Sequence, residues 1–132
     1  MFNKGFVAGT FDLLHVGHLY LLKECKEHCN FLIVALHVDP SIERADKNKP
    51  IESVLERTFR LKATKYVNQV LVYETEADLA LILQFRKPDI RFLGSDYRDN
   101  QKQITAKELA PIEYIDSIDI HSSDIRERIK NS

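Results

Sequence analysis

Tryptophan is absent from this sequence, and glycine and proline contribute only four residues each. A chain so poor in both breakers holds no collagen-like repeat and no low-complexity tract, so neither a fibrous nor a disordered architecture is expected. An excess of one charge is also missing: 19 basic side chains face 20 acidic ones, for a formal net charge of −1. Duplex-binding surfaces rely on clustered positive charge, so no nucleic-acid partner is expected. No apolar run approaches the length that spans a bilayer, and the opening Met1-Phe2-Asn3-Lys4-Gly5 lacks the apolar core of a signal peptide. No membrane partner is expected either. Cysteine occurs only as Cys25 and Cys29, on a predicted helix, and a reduced, cytoplasmic setting is the simplest expectation.

What remains is 132 residues, enough for a single domain over 1–132 and too few for a second independent core. Residues 4–9 read as a first short strand ending at Gly9. Leu19, Leu21, Leu22 and Cys25 then recur at helical spacing, which predicts a helix from about Gly17 to His28. Phe31 to Val38 is a nearly continuous apolar run of strand length, the pattern of a central parallel strand covered on both faces. A charged loop containing Glu43, Arg44, Asp46, Lys47 and Lys49 follows. After it comes a predicted helix from about Glu52 to Lys65 with Leu55, Phe59 and Ala63 on its inner stripe. Gln69 to Tyr73 reads as a strand, Glu76 to Phe85 as a helix broken by Pro88, and Asp89 to Leu93 as a strand ending at Gly94. Residues 95–110 are polar and irregular, and Ile112 to Ile115 reads as a short fifth strand. Ser122-Ser123-Asp124 offers an N-cap for a last helix, Ile125 to Lys130.

Strands alternating with helices predict an α/β fold: one doubly wound, Rossmann-like parallel sheet of five strands with helices on both faces. Such sheets bind ligands at the carboxyl ends of their strands, where the strand order reverses. Two segments therefore stand out, the turn after the first strand and the start of the last helix.

That turn reads Gly9-Thr10-Phe11-Asp12-Leu13-Leu14-His15-Val16-Gly17-His18. His15 and His18 lie three apart at a helix start, so both rings can face one spot. Gly17 between them removes a side chain and lets a ligand approach the backbone. The unpaired N–H groups and dipole of the first helical turn favour an anion there. A polyphosphate meets all of these conditions, and each imidazole can donate to a phosphate oxygen as charge builds during displacement.

The segment resembles the signature of the HxGH nucleotidyltransferase superfamily, and its Gly-Thr-Phe-Asp lead-in resembles the cytidylyltransferase branch in particular, of the glycerol-3-phosphate cytidylyltransferase type. The run Arg57 to Val67, Phe92-Leu93-Gly94-Ser95-Asp96-Tyr97 and Ile120-His121-Ser122-Ser123-Asp124-Ile125-Arg126 resemble further segments of that family. The resemblance implies in-line attack of an acceptor phosphate on the α-phosphorus of a nucleoside triphosphate, with pyrophosphate leaving and no covalent enzyme intermediate. It implies catalytic roles for His15 and His18. It implies nucleotide binding by Gly9, Thr10, Phe11, Gly17, Ser122, Ser123 and Arg126, and acceptor or phosphate contacts by Asp12, Lys47, Arg57 and Asp96. Lys49 and Arg44 are further candidates in the basic loop. Mg²⁺ is expected to arrive on the triphosphate, with no metal cage of protein ligands, and relatives of this type imply a homodimer.

The family carries Arg-Thr-x-Gly where this chain has Asp116-Ser117-Ile118-Asp119, and Ser122-Ser123-Asp124-Ile125-Arg126 is similar to adenylyltransferases of the same superfamily. CTP with glycerol 3-phosphate is the first expectation. ATP with a sugar phosphate, flavin mononucleotide or phosphopantetheine is the alternative. Two other classes stand beside these: a Zn²⁺ site at Cys25, His28 and Cys29, which lacks a fourth ligand, and a nucleotide-sensing module without catalysis, which has no need of both histidines.

Overall fold

The computed structural model describes residues 1–116; the expected last helix, with Ser122, Ser123 and Arg126, lies outside the described residues. Five strands form one sheet: β1 (Phe2–Gly9), β2 (Cys29–His37), β3 (Gln69–Tyr73), β4 (Ile90–Gly94) and β5 (Ile112–Ile115). Their order is β3-β2-β1-β4-β5 and every neighbouring pair is parallel. The helices are α1 (Val16–Glu27), α2 (Val54–Ala63) and α3 (Glu76–Arg86). The chain builds outward from β1 through β2 to β3, then returns to lay β4 on the opposite side of β1. The strand order reverses there, and Gly9 and Gly94 end the two strands that flank the reversal.

The apolar run of β2 serves two cores, as a doubly covered strand must. Leu32, Val34 and Leu36 pack with Leu22 and Cys25 of α1 and Leu61 of α2. Ile33 and Ala35 face the other way, toward Leu79 and Leu83 of α3. All three α-helices among the described residues open on a reciprocal cap in which the N-cap side chain and the third helical residue each bind the other's backbone N–H. Ser53 with Glu56 and Thr75 with Asp78 are familiar pairs; His15 with His18 is an unusual one. The irregular stretch resolves into three short 3₁₀ turns at Ser95–Arg98, Gln101–Gln103 and Lys107–Leu109.

Two expectations are corrected. Leu55 and Phe59 do not face inward but are 79% and 74% exposed, and Ala63 is exposed too. The buried stripe of α2 is instead Arg57 and Leu61, flanked by Val54. The reason is the hydrogen-bond demand of the strand ends, which pulls Arg57 inward and rotates Phe59 into solvent. Cys29, expected on the first helix, opens β2, and His28 caps α1. A stability comparison checks the orientation of α2. Leu61→Ala is expected to lower unfolding free energy by about 2–5 kcal/mol, while Phe59→Ser leaves the urea midpoint near that of the parent; the reverse ranking would restore the original stripe.

Candidate active site at the strand ends

The turn after β1 is built under strain. Phe11 and Leu13 both hold φ of 50°, a left-handed conformation that costs a non-glycine residue about 1–3 kcal/mol when the surroundings enforce it. What enforces it is visible on either side. Phe11 is buried in the α1–α2 core, with its ring edge-on to His18 at 5.6 Å. Asp12 accepts from the N–H groups of Ile51 and Glu52, each at 2.9 Å. Glu52, itself buried, accepts the Leu13 N–H at 2.6 Å and pairs with Arg60 Nε at 2.8 Å. The turn and the residues leading into α2 therefore hold each other.

Arg57 completes the clamp from below. Nη1 donates to the carbonyls of Thr10 and His37 at 3.2 and 2.7 Å, and Nη2 to that of Val38 at 2.7 Å. Nε is shared between the carbonyls of Glu52 and Ser53. The guanidinium is buried, and burial lowers its proton affinity while Asp12 and Glu52 oppose that shift. Arg57 is thus a strut under the turn. The resemblance implied an acceptor contact for Arg57; here its hydrogen bonds go to backbone carbonyls.

His15 and His18 are brought together as their spacing predicted, with ring centroids 4.0 Å apart and planes tilted by 30°. His15 is the N-cap of α1: its Nδ1 accepts the Gly17 N–H at 3.0 Å, while His18 Nδ1 accepts the His15 N–H at 3.2 Å. A backbone N–H can only donate, so both Nδ1 atoms present lone pairs. In a neutral imidazole the remaining proton then resides on Nε2. The cap fixes both tautomers and makes each Nε2 a donor. His15 is buried.

Next to this turn a cavity of about 240 Å³ opens at the carboxyl ends of four strands. Gly9 and Thr10 line it from β1, His37 from β2, Tyr73 from β3 and Arg91 to Gly94 from β4. Arg44 and Lys47 enter from the charged loop, and Gln103, Ile104 and Thr105 from the irregular segment. Neither His15 nor His18 is among its described walls; the turn reaches it through Gly9 and Thr10. Asp96 is exposed on the first 3₁₀ turn, with a carboxylate oxygen 2.7 Å from where a Cβ at Gly94 would lie, so a larger residue there would turn the Asp96 side chain away. Sequence reasoning missed His37, Tyr73, Glu76 and Arg91. His37 stacks on Tyr73 at 4.5 Å and donates from Nε2 to the Glu74 carbonyl at 3.2 Å. Burial pushes the Tyr73 hydroxyl well above its ordinary range. Glu76 ties three segments together, accepting from Thr105 Oγ1 at 2.7 Å, pairing with Arg44 at 3.5 Å, and donating its N–H to Glu43. The one signal for Arg91 was its presence inside an otherwise apolar strand.

No group of three His, Cys, Asp or Glu placed to hold a metal occurs among the described residues. At the candidate zinc ligands, Cys29 Sγ donates to the Cys25 carbonyl and His28 Nδ1 to the Glu24 carbonyl. No helix among the described residues is long and apolar enough to cross a membrane.

A profile of the cytidylyltransferase-like family matches residues 6–128. The chain belongs to that family. As a cytidylyltransferase-like protein it is a nucleotidyltransferase, and its all-parallel five-stranded sheet is the architecture of its relatives. The bifunctional protein HldE of Campylobacter jejuni is 34% identical over 128 residues, covering 96% of this chain and 27% of that protein. HldE of Helicobacter pylori is 42% identical over 106 residues, 80% of this chain and 22% of that protein. The chain thus spans about a quarter of the length of these curated relatives. An FAD synthase of Thermococcus sibiricus is 40% identical over 89 residues, 67% of this chain and 60% of that protein. Among solved structures, a lipopolysaccharide core biosynthesis protein from Thermoplasma volcanium superposes with a TM-score of 0.69 at 25% identity, covering 92% of this chain and all of that one.

Proposed function

We propose that this chain transfers an adenylyl group from ATP to the phosphate of a small acceptor, a sugar phosphate first among them, and releases pyrophosphate. The observation that carries the reaction type is the His15–His18 pair, two Nε2 donors fixed at the point where the strand order reverses. An acceptor phosphate oxygen attacks the α-phosphorus, the bond to the bridging oxygen of the β-phosphate breaks, and pyrophosphate leaves with that electron pair. The acceptor phosphate is already ionised near neutral pH, so positioning and charge stabilisation supply the catalysis. In this proposal the two Nε2–H groups donate to the α-phosphate oxygens as negative charge gathers on them.

Gly9, Thr10, Phe11 and Gly17 border the nucleotide in this reading, and Ser122, Ser123 and Arg126 hold its β- and γ-phosphates. Lys47 extends from the cavity wall toward the acceptor phosphate, with Asp12 and Asp96 as polar groups at the edges of the site. Mg²⁺ enters as part of the triphosphate substrate. Homodimerisation belongs to the same proposal and is tested by sedimentation velocity.

Two relations support ATP over the CTP that the lead-in first favours. The Thermococcus relative is named for making FAD, a dinucleotide with an adenine half, and the Ser-Ser-x-Ile-Arg ending is similar to adenylyltransferases. The Thermoplasma protein is named for the synthesis of a lipopolysaccharide core, a saccharide product, which supports a sugar acceptor. A second reading, CTP with glycerol 3-phosphate, keeps the support of Gly9-Thr10-Phe11-Asp12 and of the family's own description. Pyrophosphate release from four nucleoside triphosphates against a panel of phosphorylated acceptors separates them. ATP with a sugar phosphate is expected to turn over fastest. Faster release from CTP with glycerol 3-phosphate would establish the second reading, and nucleotide binding without release from any pair would leave a sensing module.

A further inference from the structure

Arg91 is a cation in the wrong place for a fold alone. It occupies the second position of β4, between β1 and β5, and is 3% exposed. Its Nη1 donates to the Thr105 carbonyl, but its Nε is buried with no hydrogen-bond partner among the described residues. No described carboxylate lies within ion-pair distance of it. Glu76, the one acid on the cavity wall among the described residues, is already engaged by Arg44 and Thr105. Burial lowers the proton affinity of Arg91, and Tyr73 and Glu76 oppose that shift. A buried guanidinium without a counter-ion is strongly unfavourable unless something else supplies the negative charge. The space it borders is the 240 Å³ cavity, whose described walls carry Arg44, Lys47 and Arg91 against the carboxylate of Glu76.

We infer that the cavity seats a second anionic group of the acceptor, a carboxylate or a second phosphate, held by the Arg91 guanidinium. The inference rests on the reading of this chain as a transferase whose acceptor occupies the cavity. A neutral polyol could satisfy the open N–H but would not pair with the charge, whereas a planar or tetrahedral anion does both and matches the guanidinium fork. Lys47 then serves the attacking phosphate at one end of the acceptor, and Arg91 reads the other end. Specificity from such a contact is steep, because an acceptor without the anion leaves a buried cation unpaired.

Matched acceptors test this. Glycerol 3-phosphate is paired with 3-phosphoglycerate, glucose 1-phosphate with glucuronic acid 1-phosphate, and glucose 1-phosphate with glucose 1,6-bisphosphate. Binding is measured by calorimetry, and turnover by pyrophosphate release with ATP. In at least one pair the doubly anionic member should bind roughly 10- to 100-fold more tightly, the range of a hydrogen bond to a charged group. The carboxylate and bisphosphate arms identify which anion is preferred. Arg91→Met, checked for folding by its thermal melt, should erase the difference, and Arg91→Lys should retain part of it. If Arg91→Met does not fold, the reduced ratio in Arg91→Lys carries the test. Equal binding within every pair, no binding by any member, or a preference that survives in Arg91→Met overturns the inference and leaves Arg91 as an anchor for Thr105. Selective binding without pyrophosphate release from any triphosphate keeps the anion site and removes the transferase reading. Turnover with equal binding within pairs does the opposite.

Discussion

In His18→Ala, kcat for pyrophosphate release is expected to fall by about 10²–10³ while the KM for the triphosphate changes little. The Nε2–H of His18 is poised by the His15 N–H on its Nδ1, so its donor is aimed before substrate arrives. Its hydrogen bond strengthens only as the α-phosphate gains charge, which places the loss on the transition state. His15 needs a different substitution because its Nδ1 also caps α1. His15→Ala would remove cap and donor together, adding a stability loss of about 1 kcal/mol. In His15→Asn a short side-chain oxygen can still accept the Gly17 N–H, while nothing reaches the position of Nε2. The expected result is a melting temperature close to the parent's and a kcat drop of the same order as in His18→Ala. Full turnover in either His18→Ala or a well-folded His15→Asn would make the pair a capping device and nothing more.

Arg57→Met is expected to lower unfolding free energy by at least about 3 kcal/mol, measured by urea titration. The carbonyls of Thr10, His37 and Val38 lose their donors at once, at the ends of two central strands. Arg57→Lys should recover little, since an ammonium cannot span carbonyls that a planar fork reaches in different directions. The outcome discriminates between two roles. A stable Arg57→Met protein with a raised KM for the acceptor would return Arg57 to the substrate contact implied by family resemblance.

The sheet was legible because its strands are short apolar runs bounded by glycine or by charged loops, and β2 carries apolar residues on both faces. The histidine turn was legible because two rings three residues apart at a helix start leave few bland explanations. The inner face of α2 was not. Periodicity counts Leu55 and Phe59 as inward and Arg57 as outward, whereas the carbonyls at the ends of β1 and β2 needed a donor more than the core needed another ring. Arg91 escaped for the same reason, since a hydrophobic pattern treats a charge in a strand as noise. Two helix starts carried usable signals in Ser53-Val54-Leu55-Glu56 and Thr75-Glu76-Ala77-Asp78. Histidine is not a usual N-cap, so the reciprocal bonds of His15 and His18 had no counterpart in the sequence rules.

The central position of β1 also sets the order in which the molecule is assembled. Lys4 and Asp89 join through two backbone-donated hydrogen bonds across 85 residues of chain. A polypeptide leaving the ribosome makes the histidine turn well before β4, and β1 must wait for that strand to gain its second neighbour. Until then the growing chain has an open β1 edge lined by Phe6 and Val7, both of which are buried in the finished sheet. Closing so long a loop is a slow step, and the exposed edge is a site for mispairing while it lasts. The turn is therefore made long before the strand that completes the sheet beside it.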